Sequence, residues 1–309
     1  MAQRIAVTFV IMAGGRGKRL QPLTATRPKV CLSLDGKRSL LQATIERLRP
    51  VWPKADWLIV TTQGQADIIR RDLPGNLHRD LLVEPEIKNT AACLTLAAAT
   101  VAARDPRRVM VVVPADHWVG DADAYRRSVR AAIRAAVRED AIAMIGIRPT
   151  HAHTGLGYLC AGPSLRSINS SRIFRLSSFV EKPPRTVAAR LAKRPRTYWN
   201  NGSFIARADK FLEVLTVWLP GHTRRLIPLA VELRSPSTRS ARSGLRSLRS
   251  LRARVQAAYR GLQPVSFDHG VMNHLQEGIV VEGLFLWSDV GTLEAWRALA
   301  RKTDASPGA

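Results

Sequence analysis

Through the first half of the chain, strand-sized apolar runs alternate with helical stretches, and this alternation leaves few folds open. The runs are Ala6–Met12, Trp57–Thr62, Leu81–Glu84, Val109–Val113 and Ala141–Ile147. Between them, Leu40–Leu48, Ala66–Asp72, Thr90–Arg104 and Ala124–Arg138 carry helical periodicity. The third of these helices is Ala-rich and opens near an Asn-Thr cap signal. Runs that are apolar throughout belong to strands covered on both faces, and such strands alternating with helices build parallel βαβ units. The expected fold is therefore α/β, a Rossmann-like and mostly parallel sheet flanked by helices. In such sheets ligands gather at the carboxyl ends of strands. The chemistry-bearing residues fall at such ends, after Met12, after Val113 and after Trp287.

Beyond Thr150 the texture changes. Leu156–Ala161, Phe174–Val180 and Ser203–Ala206 read as shorter strands separated by Gly and Pro, which predicts a smaller mixed-sheet lobe built onto the first half. One domain covers residues 1–309, with halves at about 1–150 and 151–300. A segment at about 234–255 is biased toward Ser, Arg and Leu and reads either as an amphipathic helix or as a mobile insertion.

Composition removes several classes. With 46% hydrophobic residues the chain is not a disordered one. No apolar run approaches the ~20 residues of a membrane span, and no signal peptide is expected from the opening residues. Three scattered cysteines, Cys31, Cys93 and Cys160, make no CxxC pair, so a reducing cytoplasm is the expected setting. The net charge of +24 admits anionic partners. Ten Arg and one acid, Glu232, lie between Arg224 and Arg260. Few aromatics accompany that run and no nucleic-acid module is recognisable, so nucleic acid is not the expected partner.

The loop after the first strand reads Ala13-Gly14-Gly15-Arg16-Gly17-Lys18-Arg19-Leu20. Three glycines let backbone N–H groups approach an anion, and Lys18, Arg19, Arg27 and Lys29 supply cations. A Walker A loop requires Ser or Thr after the Lys, where Arg19 stands. A dinucleotide GxGxxG requires Gly at the place of Leu20. Two distant acids, Asp116 in PADH and Asp289 in WSDVG, sit in similar post-strand settings. Such a pair suits Mg²⁺, a hard ion that takes its remaining ligands from water and phosphate. His151-x-His153 lacks the further ligands that a transition metal needs.

The stretch AGGRGKRLQPLTATRPKV resembles the AGGxGxRLxPLTxxxPK signature of sugar-nucleotide pyrophosphorylases. The resemblance implies a nucleotide-diphospho-sugar transferase fold with a sugar-binding lobe. It implies that Gly14, Gly15 and Gly17 wrap a triphosphate, that Arg19 and Lys29 grip it, and that Asp116 and Asp289 hold Mg²⁺. Further blocks resemble mannose-1-phosphate guanylyltransferases: Glu84-Pro85-Glu86-Ile87-Lys88-Asn89-Thr90-Ala91 for EPxxRNTA, Thr154–Tyr158 for TGYGYI, Phe179–Pro183 for FVEKP, and Trp199–Phe204 for WNSGMF. These imply GTP and mannose 1-phosphate as substrates. Glu84, Asn89 and Thr90 would then lie by the nucleotide, and Gly157, Glu181 and Asn200 by the sugar phosphate, with Lys182 as the catalytic cation on the sugar side. The resemblance spans about residues 7–206 and 264–296. Departures are Lys88 for Arg, Leu156 for Tyr, and Asn273 for the Glu that ends the SxDYxVME stretch at Ser266–Asn273. Another sugar or base, or a non-catalytic binder of sugar nucleotide, remains an alternative, and a homodimer stays open.

Overall fold

The computed structural model describes residues 5–15, 17–168, 170–233 and 245–304. Nine strands form a single sheet in the order β3-β2-β1-β4-β9-β6-β10-β8-β7. The strands are β1 Val7–Met12, β2 Asp56–Thr62, β3 Leu81–Glu84, β4 Val109–Pro114, β6 Ile142–Ile147, β7 Tyr158–Ile168, β8 Ser171–Val180, β9 Thr197–Arg207 and β10 Gly278–Gly283. A two-stranded ribbon pairs β5, Trp118–Val119, with β11, Trp287–Ser288. The helices are α1 Leu40–Leu48, α2 Ala66–Asp72, α3 Asn89–Ala102, α4 Ala122–Glu139, α5 Arg185–Lys193, α6 Ala208–Trp218, α7 Pro220–Leu233, α8 Leu245–Arg260, α9 Phe267–Gly270 and α10 Leu293–Asp304.

The first half follows its hydrophobic pattern. Strands β3, β2, β1 and β4 are parallel neighbours. Alternate side chains of β1 enter opposite cores: Phe9 and Ile11 pack on one face, Val10 on the other, as the two-residue period of a strand requires. Helix α1 starts at a reciprocal cap in which the Ser39 hydroxyl accepts from the Gln42 N–H and the Gln42 side chain accepts from the Ser39 N–H. The Asp121 carboxylate caps α4 by accepting from the Ala124 N–H at 2.9 Å.

The second half continues the same sheet. Strand β9 inserts antiparallel between β4 and β6, and β10 lies parallel to β6. The β7–β8 hairpin closes the far edge. The hairpin strands are longer than their apolar segments because only part of each is covered. Toward the turn, exposed Ser164, Arg166 and Ser167 of β7 and Arg172 and Arg175 of β8 alternate with buried Ile173 and Phe174, and the register shift between Ala161 and Ser164 accommodates Pro163.

Helix α3 is Ala-rich because it is enclosed: the sheet covers one side, and α7 and α8 cover the other. Ala92, Leu96 and Ala99 meet Leu226, Leu229, Val255 and Tyr259 there. Its cap departs from expectation. Asn89 takes a left-handed φ of 65°, and the Thr90 hydroxyl accepts from the Phe267 N–H rather than from its own helix. Of the Ser/Arg-rich segment, residues 234–244 lie outside the described ones and the remainder belongs to α8. All three cysteines are buried and unpaired. Among the described residues no helix is long and apolar enough to cross a membrane.

Phe204 of β9 is 2% exposed and packs edge-on against Phe267 with ring centroids 4.9 Å apart. Phe204→Ala should lower unfolding free energy by about 3–5 kcal/mol, measured as a drop in denaturant midpoint with little change in slope.

Candidate active site

Lys29 is the point where the distant motifs meet. It is buried, follows Pro28 in a single 3₁₀ turn, and aims its ammonium at two acceptors. The Asp116 carboxylate accepts at 2.7 Å. The backbone carbonyl of Asp289 accepts at 2.6 Å. The β5–β11 ribbon explains why the two acids are neighbours: Ser288 pairs with Trp118, so the residues just outside that register are His117 and Asp289. Trp287 crosses the ribbon, donating its indole N–H to His117 Nδ1 at 3.2 Å and meeting the imidazole edge-on.

The charges follow from this packing. Burial works to raise the Asp116 carboxyl, but the Lys29 ammonium beside it prevails and holds it below the usual carboxylate range. Burial pushes His117 down to about 4, with Asp116 pulling the other way and Lys29 adding to the fall. His117 is therefore neutral at neutral pH, with Nδ1 taken by Trp287. Asp116 and Asp289 each carry acceptor-only carboxylate oxygens; that of Asp116 is engaged by Lys29 and that of Asp289 accepts from the Gly291 N–H at 3.2 Å. Among the described residues no group of three or more His, Cys, Asp or Glu is placed to hold a metal ion. Two carboxylates fit a Mg²⁺ that takes its remaining ligands from water and phosphate.

Backbone conformation at two places serves this junction. Gly17 has φ +60°, and a Cβ there would lie 2.8 Å from Lys29 Cβ, so only glycine lets the phosphate loop lie against the lysine stem. Thr24 fastens the turn by donating to the Gly17 carbonyl at 2.9 Å. Val290 stands at φ 48°, a costly conformation for a β-branched residue. Its side chain is fully buried with Leu34, Leu40 and Leu299, which locks the turn that directs the Asp289 carbonyl to Lys29.

The glycine loop leads from Lys29 toward Glu84. The Ala13 carbonyl accepts from the Thr61 hydroxyl at 3.1 Å, and the Gly15 carbonyl accepts from the Gln65 amide at 3.2 Å. A Cβ at Gly14 would be 3.4 Å from Thr62 Cγ2 and 3.9 Å from Glu84 Oε2. Glu84 ends β3 with 5% exposure and accepts from the Tyr259 hydroxyl at 3.0 Å. Burial pushes its carboxyl up to about 8, against that hydrogen bond. Arg19 is exposed and, among the described residues, carries no ion pair.

A second cluster lies on β8 and β9. Glu181 pairs with Lys182. The Gly157 carbonyl accepts from the Asn200 N–H at 2.8 Å, and a Cβ at Gly157 would lie 2.7 Å from Glu181 Oε2. The Asn200 amide donates to Asp268 at 3.0 Å. Burial, with Glu181 nearby, raises the Asp268 carboxyl to about 6. The two clusters meet through Gly202, where a Cβ would lie 3.2 Å from Pro114 and 3.7 Å from His117. The fold thus brings Gly17, Lys29, Asp116 and Asp289 to one point, Gly14 beside Glu84, and Gly157, Glu181, Lys182 and Asn200 to another. Asn89 and Thr90 bond instead to the backbone at the start of α3 and to Phe267. Sequence reasoning missed Asp268, Tyr259 and Gln65. Asp268 stood inside a quoted motif, whereas nothing in the Ser/Arg-biased context of Tyr259 marked it. A cavity of about 900 Å³ lies away from the acids, between Trp57, Leu82, Val101 and Gln256.

An open α/β sheet with a glycine loop, a buried lysine and two acids at its carboxyl ends defines a nucleotide-binding transferase. The chain matches the nucleotidyl transferase family over residues 8–306 and belongs to it. It is 31% identical over 303 residues to a mannose-1-phosphate guanylyltransferase of Salmonella montevideo, covering 96% of this chain and 60% of that protein. It is likewise 31% identical over 294 residues to one from Escherichia coli (strain K12), covering 94% of this chain and 58% of that protein. The chain therefore spans about 60% of the length of the curated relatives it matches. A solved structure from Thermus thermophilus, described as a mannose-1-phosphate geranyltransferase, superposes with a TM-score of 0.77 at 31% identity, covering 98% of this chain and 80% of that one.

Glu84 ties stability to pH. Its carboxyl is raised from 4.5 to about 8, so its stabilising contribution is complete below the unfolded value and is lost as pH climbs through the folded one. Glu84→Gln cannot ionise. Its melting temperature relative to the parent should therefore rise from about pH 4.5 to about pH 8 and level off above, checked by thermal scans without ligand.

Proposed function

We propose that this chain joins mannose 1-phosphate to GTP, forming GDP-mannose and releasing pyrophosphate. The observation that carries the reading is the Lys29 ammonium set between the Asp116 carboxylate and the Asp289 carbonyl, at the foot of a glycine loop. Similarity to mannose-1-phosphate guanylyltransferases supports the choice of sugar and base. Buried, unpaired thiols support a reducing, cytoplasmic setting.

In this reading a phosphate oxygen of mannose 1-phosphate attacks the α-phosphorus of GTP. The new P–O bond forms as the bond to the β-phosphate breaks, and pyrophosphate leaves. The nucleophile is already anionic, so no general base is required. The obstacle is repulsion: two unit charges at about 4 Å repel by ~4 kcal/mol at an effective dielectric of 20. Mg²⁺ held by Asp116 and Asp289 would supply neutralising charge to the phosphates. Gly14, Gly15 and Gly17 present backbone N–H groups to the triphosphate, with Arg19 and Lys29 on its phosphates. Lys182 neutralises the sugar phosphate, while Glu181, Asn200 and Asp268 offer acceptors and a donor to the hexose hydroxyls. Gly157 brings backbone to the ring. Residues 1–150 act as the nucleotide half and 151–300 as the sugar-phosphate half.

Glu84 reads the base. Guanine presents adjacent N1–H and N2–H₂ donors, which suit a carboxylate; Glu84, whose burial keeps it protonated at neutral pH in the free protein, ionises as those donors replace its proton, and so selects for them. Asn89 and Thr90 shape the backbone of the same wall. Catalysis then rests on positioning and charge.

Pyrophosphate release with GTP, mannose 1-phosphate and Mg²⁺, set against the other nucleoside triphosphates and glucose 1-phosphate, tests the reading; equal turnover of all pairs sinks the specificity. Asp116→Ala should cut kcat by at least about 10²–10³ with a folded-state circular dichroism spectrum. Lys182→Ala should raise KM for mannose 1-phosphate about tenfold and leave KM for GTP in place; an unmoved sugar-phosphate KM rejects that role.

A further inference from the structure

Helix α8 and the turn that follows it are stitched to the base-side wall at four points. The Gln256 amide donates to Glu86 at 2.6 Å, and the Tyr259 hydroxyl donates to Glu84 at 3.0 Å. The Ala91 N–H donates to the Val265 carbonyl at 3.2 Å, and the Phe267 N–H donates to the Thr90 hydroxyl at 2.8 Å. Gln256 and Tyr259 are three apart, so they share one helix face and grip two acids of the same block. Tyr259 is fully buried among Ala92, Leu96 and Leu226, so its hydroxyl is delivered by a rigid ring. Glu84 makes no ion pair among the described residues. Among the described residues, Cys93 of α3 also faces it, a buried thiol that donates no charge.

We propose that Tyr259 is a positioning residue for base selection: its hydroxyl holds Glu84 Oε1 so that the second carboxylate oxygen, on the Gly14 side, is presented to guanine. The inference rests on the reading of Glu84 as the base-selecting acid. A carboxylate that must ionise out of water needs a donor, and this phenol is a side-chain donor that the fold supplies. The hydrogen bond fixes the plane of the carboxyl and favours the charged form that accepts from N1–H and N2–H₂. Helix α8 thereby gains a function: it carries the hydroxyl to the base-side wall.

The test compares Tyr259→Phe, Glu84→Gln and the parent in three measurements. These are KM for GTP, KM for mannose 1-phosphate, and the titration of the Glu84 carboxyl followed by ¹³C NMR. Tyr259→Phe keeps the ring packed and should raise KM for GTP about tenfold, leave KM for mannose 1-phosphate unchanged and move the Glu84 titration upward. The GTP deficit should shrink as pH rises and Glu84 ionises without help. Should Tyr259→Phe not fold, 3-fluorotyrosine at position 259 replaces it; this stronger donor of nearly the same shape should move the Glu84 titration downward. If Glu84→Gln raises KM for GTP but neither change at 259 moves that KM or the titration, the role of Tyr259 is overturned. If Glu84→Gln itself leaves base preference untouched, the reading of Glu84 falls, and the inference with it.

Discussion

A buried ammonium with two acceptors organises this molecule. Lys29 reaches Asp116, at the end of the β4 segment, and the carbonyl of Asp289, 260 residues further along the chain. A lysine is stable so far from water only where its charge is answered and its protons are placed. That requirement constrains everything around it. Gly17 must lack a side chain so that the phosphate loop lies on the lysine stem. Val290 must hold an uncomfortable backbone so that the carbonyl behind it turns inward. The ribbon of β5 and β11 must bring His117 and Asp289 face to face. Loss of any one of these leaves a charge without its partner.

The sheet makes the convergence possible. Parallel strands β1 and β4 are neighbours, so the loops after Met12 and Pro114 emerge side by side, and the Ala115 N–H donates to the Met12 carbonyl at 3.1 Å. Strand β9 enters between β4 and β6 in the opposite sense, which sets Asn200 and Gly202 beside the same cleft. In the proposed reaction the two anionic reactants would lie on adjoining strands. One short stretch of chain touches both sides, from Tyr259 on Glu84 to Asp268 on Asn200. It joins the wall assigned to the base with the wall assigned to the sugar.

Much of the fold was legible because burial on both faces leaves an unmistakable mark. Val109–Val113 has no polar residue, so it could only be an inner strand or a buried helix, and its five-residue length chose the strand. Leu40–Leu48 and Ala66–Asp72 matched their helices end to end. The β7–β8 hairpin was read too short because exposed Ser and Arg interrupt its apolar period toward the turn, even where Ile173 and Phe174 are buried. The Ser/Arg segment resisted reading for a related reason: α8 is held to the core through Val255 and Tyr259 near its end, so the apolar signal sits at and past the end of the biased stretch.

The glycine loop, Lys29 and the two aspartates were visible in the linear chain because each motif combines residue types that chemistry rarely assembles by accident. Local sequence thus determined the strands and the principal helices, and nominated the groups proposed to handle phosphate. Only the tertiary structure decided their pairings: that Lys29 answers Asp116, that Thr90 serves Phe267 rather than its own helix, and that Tyr259 stands on Glu84. The physical reason is range. Strand and helix patterns arise from neighbours a few residues apart, whereas a hydrogen bond across 175 residues exists only once sheet order and helix packing have brought its ends within 3.0 Å.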